Sequence, residues 1–230
     1  MTISFMSSPC AQRSIPVLFA IGTCFALAAP VSTRDALQTE RDPLQAEDSL
    51  LQQVLLGRSL VVSHACGDCH GGYANPEAEG WLAGKVSTSP PGQQEFQIGP
   101  FKTRARNLTP DNTTGLGRFS ERQIFNALRF GLRPGETPDV EITSTTPGEG
   151  NFPMHPKYLA PPMPWTSWRH MPDDELWAIA AYLKHGVKPV TNRVEDSEGP
   201  PDFWASEYTA EKIGTYPVPA FPTANEADLE

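Results

Sequence analysis

The chain has 230 residues, a formal net charge of −9 and a sequence pI near 5.1. That acidic balance excludes a nucleic-acid surface of the usual basic kind and suits a basic protein partner. Its 24 prolines, roughly twice the ordinary share, argue against long helices or wide sheets.

Residues 1–28 read as a secretory signal. Arg13 supplies positive charge, Ile15 to Ala28 is almost wholly apolar, and Ala26-Leu27-Ala28 gives a small-residue cleavage pattern. The apolar run is too short to cross a bilayer. An uncleaved anchor is one alternative. A lipoprotein acylated at Cys24 is another, disfavoured by Thr23 and by the apolar residues beyond. No later run is long enough to span, so the expected product is exported, soluble and periplasmic. Residues 29–46 form a polar lead-in.

Hydrophobic spacing predicts the first helix over 46–65. Leu50, Val54, Gly57 and Val61 share a face, with Leu51, Leu55 and Val62 beside it. Glu47 and Asp48 suit its N-terminal end. Gly57 costs about 1 kcal/mol in a helix interior relative to Ala, and close contact with another helix would offset it.

This helix runs into Cys66-Gly67-Asp68-Cys69-His70. The pattern is C-x-x-C-H, the attachment sequence of c-type haem. Two thiols three positions apart on one helical turn reach the two vinyl groups of one porphyrin. The imidazole that follows sits below the iron. Cys66 and Cys69 are therefore the candidate thioether residues, and His70 is the candidate proximal ligand. A thiol–disulfide site would need a βαβ setting, and a zinc site a second Cys or His pair; neither is present in the sequence. Cys10 and Cys24 fall in the leader, which leaves the mature chain no cysteine for a structural disulfide. His64 reads as a surface residue or a neighbour of the site.

Residues 71–119 lack periodicity. Gly71-Gly72, Asn75-Pro76, Pro90-Pro91-Gly92 and Gly99-Pro100 predict a long loop wrapped over the haem face. Asn107 to Asp111 and Gly115 to Gly117 read as tight turns. Ser120-Glu121-Arg122-Gln123 is a capping box that opens a helix ending at Phe130, with Gly131 as its terminator. Prolines from 134 to 164 stiffen the next loop. A third helix is predicted from Pro172 to His185, with Leu176, Ile179, Ala180 and Leu183 buried, Trp177 and Tyr182 flanking, and Gly186 as cap. The tail, 190–230, is acidic and Pro-rich. Phe203, Trp204 and Tyr208 either pack back as a short helical segment or belong to a disordered tail; the sequence leaves both open.

An entering helix, C-x-x-C-H, a loop, a middle helix, a Met-bearing Pro-rich loop and a last helix resemble a monohaem class I cytochrome c. Asn107-Leu108-Thr109-Pro110-Asp111, Gly115 to Ser120, Ala127 to Gly131 and Met163-Pro164-Trp165 resemble bacterial cytochromes associated with periplasmic alcohol and sugar dehydrogenases. The resemblance implies an all-α cytochrome c fold over 47–189, with three or more short helices and long Pro/Gly-rich loops around one covalent haem c. It places Gly57 where the first and last helices cross, opposite Tyr182 or its neighbours. The acidic tail has no counterpart in it.

Six-coordinate iron needs a distal ligand, and the mature chain offers Met154, Met163, Met171, His64, His155, His170 and His185. Met163 is the expected one. Its prolines stiffen the backbone and lessen the entropy of fixing a ligand. It lies nine residues before Pro172, and it matches the Met of the Met-Pro segment in the cytochromes resembled. Met171 reads as a packing residue at the start of the last helix, and Met154 as the alternative in the long loop. The expected function is single-electron transfer between a periplasmic dehydrogenase and a terminal oxidase or another cytochrome, with no catalysis by the chain itself. A haem enzyme or gas-binding protein with an open sixth position is the alternative. A binding module in which the haem is incidental is a third reading.

Overall fold

In chain order the elements are α1 (Pro43–Ser63), α2 (Cys66–His70), the strands β1 (Glu95–Ile98) and β2 (Phe101–Arg104), α3 (Glu121–Phe130), α4 (Trp165–Trp168), α5 (Asp173–Ala181) and α6 (Ala210–Ile213). The structure is a computed structural model that describes residues 43–86 and 94–227, all within a unit spanning Asp42–Glu230. The expected signal at 1–28 lies outside the described residues, as does all but the end of the lead-in.

Helix α1 starts before the predicted boundary, on a proline that lacks an amide proton the first turn would leave unpaired anyway. Glu47 and Asp48 therefore lie within the helix rather than at its end. Only the C-terminal half of α1 is covered. Gly57 and Val61 are buried and Val54, Leu60 and Val62 half-buried, whereas Leu50, Leu51 and Leu55, expected on the buried side, are exposed.

The covering element is α5. A β-carbon at Gly57 would collide with the Ala178 carbonyl and stand 2.7 Å from Cβ of Tyr182. The expected crossing is there, and it is tight enough to require glycine. Helix α5 then continues through one wide turn, Tyr182–Gly186. Pro172 stands one residue outside α5, in extended backbone, because the helix proper opens at Asp173. Leu176, Ala178, Ile179, Ala180 and Leu183 are buried, in a core shared with Val61, Cys66, Trp81, Leu82, Ile124 and Leu128.

Helix α3 has the capping box read from the sequence. Ser120 Oγ accepts from the Gln123 amide, the Gln123 side chain accepts from the Ser120 amide, and Gly131 ends the helix at φ 69°. The ring of Phe125 stacks on Trp177 of α5 with centroids 4.5 Å apart. Arg129 bonds the Arg169 carbonyl and pairs with Asp173.

Two features correct the expectation of an all-α chain with one unbroken loop over 71–119. The described structure is 38% helix and 6% strand, so the class stays helical, but 95–104 is an antiparallel hairpin. In addition, α4 interrupts the Pro-rich loop. The tail also packs back. Lys102 and Glu198 form a bridge on the other edge of β2, which covers that edge. Trp204 is buried against Phe101, and Tyr208 packs on Tyr158 and Trp165.

Candidate haem-attachment site

Helix α1 ends where Ala65 takes a left-handed conformation, φ 56°. The chain turns there and restarts as the five-residue α2, which carries Cys66, Cys69 and His70. Positions 66 and 69 are one turn apart on a helix and so share a face. Both side chains are free thiols. Cys66 is 9% exposed and Cys69 half-buried. Burial pushes the Cys66 thiol up to about 12, and burial with Asp68 also raises Cys69. Gly67 between them lies under the Trp81 indole, whose Nε1 donates to the Tyr182 hydroxyl at 3.0 Å. Trp81, packed on the motif at Gly67, is thus bonded to Tyr182 in the turn that continues α5.

His70 is held at two points. Its carbonyl accepts from the Gly84 amide at 2.8 Å. Its Nδ1 lies 2.7 Å from the Arg106 carbonyl. A carbonyl only accepts, so Nδ1 carries the proton and Nε2 keeps its lone pair. Burial lowers the imidazole pKa below its ordinary value, and the bond to Arg106 opposes that. A neutral ring with its tautomer fixed by a carbonyl is the state in which a metal-binding histidine is held. With two unpaired thiols on the same turn, these residues fit a covalently bound haem.

Of the distal candidates, Met163 and Met171 are half-buried against the core cluster that contains Cys66. Met154 is 62% exposed and lies against Gly148, away from that cluster. His64 donates or accepts locally, at Leu60 and Ser63, and meets Trp168 edge-on. His155, His170 and His185 are exposed, His185 within 2.7 Å of Glu121. Among the described residues no three or more His, Cys, Asp or Glu side chains gather as a metal cluster. No helix there is long and apolar enough to cross a membrane.

Gly84, Arg106 and Asn192 act at this site without any mark in the sequence. A β-carbon at Gly84, φ 79°, would lie 2.7 Å from Ala105 O, Arg106 C and Asn107 N. The Asn192 side chain donates to the carbonyls on either side, Ala83 at 2.7 Å and Lys85 at 3.0 Å. The only signal was indirect: Asn107 opens the segment singled out as a turn.

No protein-family model matches the chain. The chain is 29% identical over 157 residues to the gluconate 2-dehydrogenase cytochrome c subunit of Pantoea cypripedii, covering 68% of this chain and 27% of that protein. It is 34% identical over 85 residues to the cytochrome c subunit of the quinone alcohol dehydrogenase of Gluconacetobacter polyoxogenes, covering 36% and 14%. It is 26% identical over 155 residues to the fructose dehydrogenase cytochrome subunit of Gluconobacter japonicus, covering 67% and 25%. The chain thus spans about a quarter or less of the length of these curated relatives. Each is named as a cytochrome subunit of a dehydrogenase. By sequence and at modest identity, the chain resembles the dehydrogenase-associated cytochromes c.

Proposed function

We propose that this chain is a periplasmic electron-transfer protein carrying one haem c. Cys66 and Cys69 hold the porphyrin through thioether bonds, His70 is the proximal iron ligand and Met163 the distal one. It passes single electrons from a dehydrogenase to a downstream acceptor such as a terminal oxidase or another cytochrome. The observation that carries this reading is the His70 ring, pinned through Nδ1 to the Arg106 carbonyl beside two free thiols on one turn. Bound haem would supply the one-electron couple. The chain's own part is to hold His70 neutral and oriented and to hold the Met163 thioether against the core that contains Cys66. Resemblance to dehydrogenase cytochrome subunits supports the donor class. The leader at 1–28 supports export.

The test uses protein matured in a host with haem-attachment machinery. Wild type should carry one haem that acidified solvent does not extract, and Cys66→Ala with Cys69→Ala should lose it. The oxidised protein should show the near-infrared sulfur-to-iron band. Met163→Ala should abolish that band and admit carbon monoxide, while Met154→Ala and Met171→Ala keep it. Loss of the band in Met171→Ala alone would move the distal ligand to Met171, the other methionine against the same core.

A further inference from the structure

The segment after α5 and its terminal turn is bonded to the residues that support His70, and these bonds converge on two backbone atoms. One is the Gly84 amide, which donates to the His70 carbonyl; the other is the Arg106 carbonyl, which accepts from His70 Nδ1. Asn192 grips both neighbours of Gly84, and Lys85 in turn donates to Ala105, next to Arg106. Asn107, 3% exposed, follows Arg106 directly. Its Nδ2 donates to the Val190 carbonyl at 2.8 Å and to Thr114 Oγ1 at 3.0 Å, and its Oδ1 accepts from the amide and hydroxyl of Thr109. Thr114 Oγ1 also accepts from the Asn192 amide at 3.0 Å. The Arg106 guanidinium adds bonds to Glu195 O and Ser197 Oγ.

We infer that Asn107 and Asn192 are positioning residues for the proximal ligand, and that residues 190–197 form a collar fixing His70 through Arg106 O and Gly84 N. This rests on His70 being the proximal ligand. A hydrogen bond from Nδ1 strengthens the imidazole as a donor to iron and favours the ferric state. A collar that shortens or aligns that bond therefore lowers the reduction potential, with no charged group involved at either asparagine.

The experiment uses the haem-loaded full chain. In Asn192→Ala and in Asn107→Ala, the His70 Nδ1 proton of the reduced, diamagnetic protein should exchange with solvent at least tenfold faster by nitrogen-edited NMR. The midpoint potential should rise, and the sulfur-to-iron band should persist. Ser120→Ala, which removes a helix cap far along the chain, should lower the melting temperature and leave both readings unchanged. If Asn192→Ala lowers the melting temperature while proton exchange and potential stay at wild-type values, the collar is a structural clamp only and the inference is overturned. Asn192 is half-buried and the milder site, so it decides the question if Asn107→Ala does not load haem. Wild type that matures without covalent haem would overturn the haem reading itself, and the positioning role with it.

Discussion

Asp111 accepts from Thr113 N, Thr114 N and Thr114 Oγ1 at one oxygen and from Thr191 Oγ1 at the other. The Thr114 bonds, then Thr191, hold its carboxyl down at about 2. A carboxyl whose pKa falls on folding contributes stability above its unfolded pKa and loses it as pH drops through the folded one. Stability should therefore decline between about pH 4 and about 2, and Asp111→Asn should make that decline shallower, as read from melting temperatures across this range. The candidate haem residues are marked in the sequence by their own side chains: C-x-x-C-H has a spacing, and Met163 has a stiff setting. The partner of His70 is not, because any residue at 106 supplies a carbonyl. Asn192 was hidden for a related reason: its role is defined by the carbonyls of Ala83 and Lys85, more than a hundred positions away.

At the scale of elements, the crossing of α1 and α5 sets two effects against each other at Gly57. Alanine there would gain about 1 kcal/mol of helix propensity. Its β-carbon would also meet Ala178 O and Tyr182 Cβ, and forcing packed helices apart costs about 1–3 kcal/mol or more. Gly57→Ala should thus be net destabilising and should lower the melting temperature; a rise would show that the helices part easily. The same elements mark the reach of pattern reading. Helix α3 was legible because Ser120, Gln123 and Gly131 each have one local task. The hairpin was not, since Glu95–Ile98 and Phe101–Arg104 are too short to show alternation. Its support comes from elsewhere in the chain: Glu95 meets Lys85, Lys102 and Arg104, and Arg104 reaches Glu198. The exposed leucines of α1 show the converse. A regular apolar stripe predicted a buried face, but α5 is only nine residues long and covers only part of it.

Across the whole molecule the tail is where the structure decides between two readings that the sequence left open. An acidic, Pro-rich composition pointed equally to disorder, yet Trp204 is 2% exposed between Phe101 and Phe203 and lies under the Arg133 guanidinium. Arg133 also pairs with Asp202, and Arg169 donates to the carbonyls of Ile213 and Gly214. Few aromatic anchors in a polar sequence suffice when cationic side chains of the body bind the tail's own carbonyls and carboxylates. Trp204→Ala should cost about 3–5 kcal/mol, the range for emptying a buried aromatic site. Guanidinium unfolding of the intact chain measures it, and a loss under about 1 kcal/mol would mean that the tail is only loosely seated.

The bond between Trp81 and Tyr182 joins residues 101 positions apart. Contacts of such long range form slowly, because a large loop must close before they repay it. The chain is made from its N-terminus, so the two cysteines are synthesised before the residues of α5. Until α5 docks, Cys66 lacks part of the core that buries it, and its sulfur remains open to reaction. Once α5 is in place the thiol is enclosed, and burial suppresses the thiolate. This sequence separation predicts an order of events: a group joined to Cys66 is expected to attach before α5 docks.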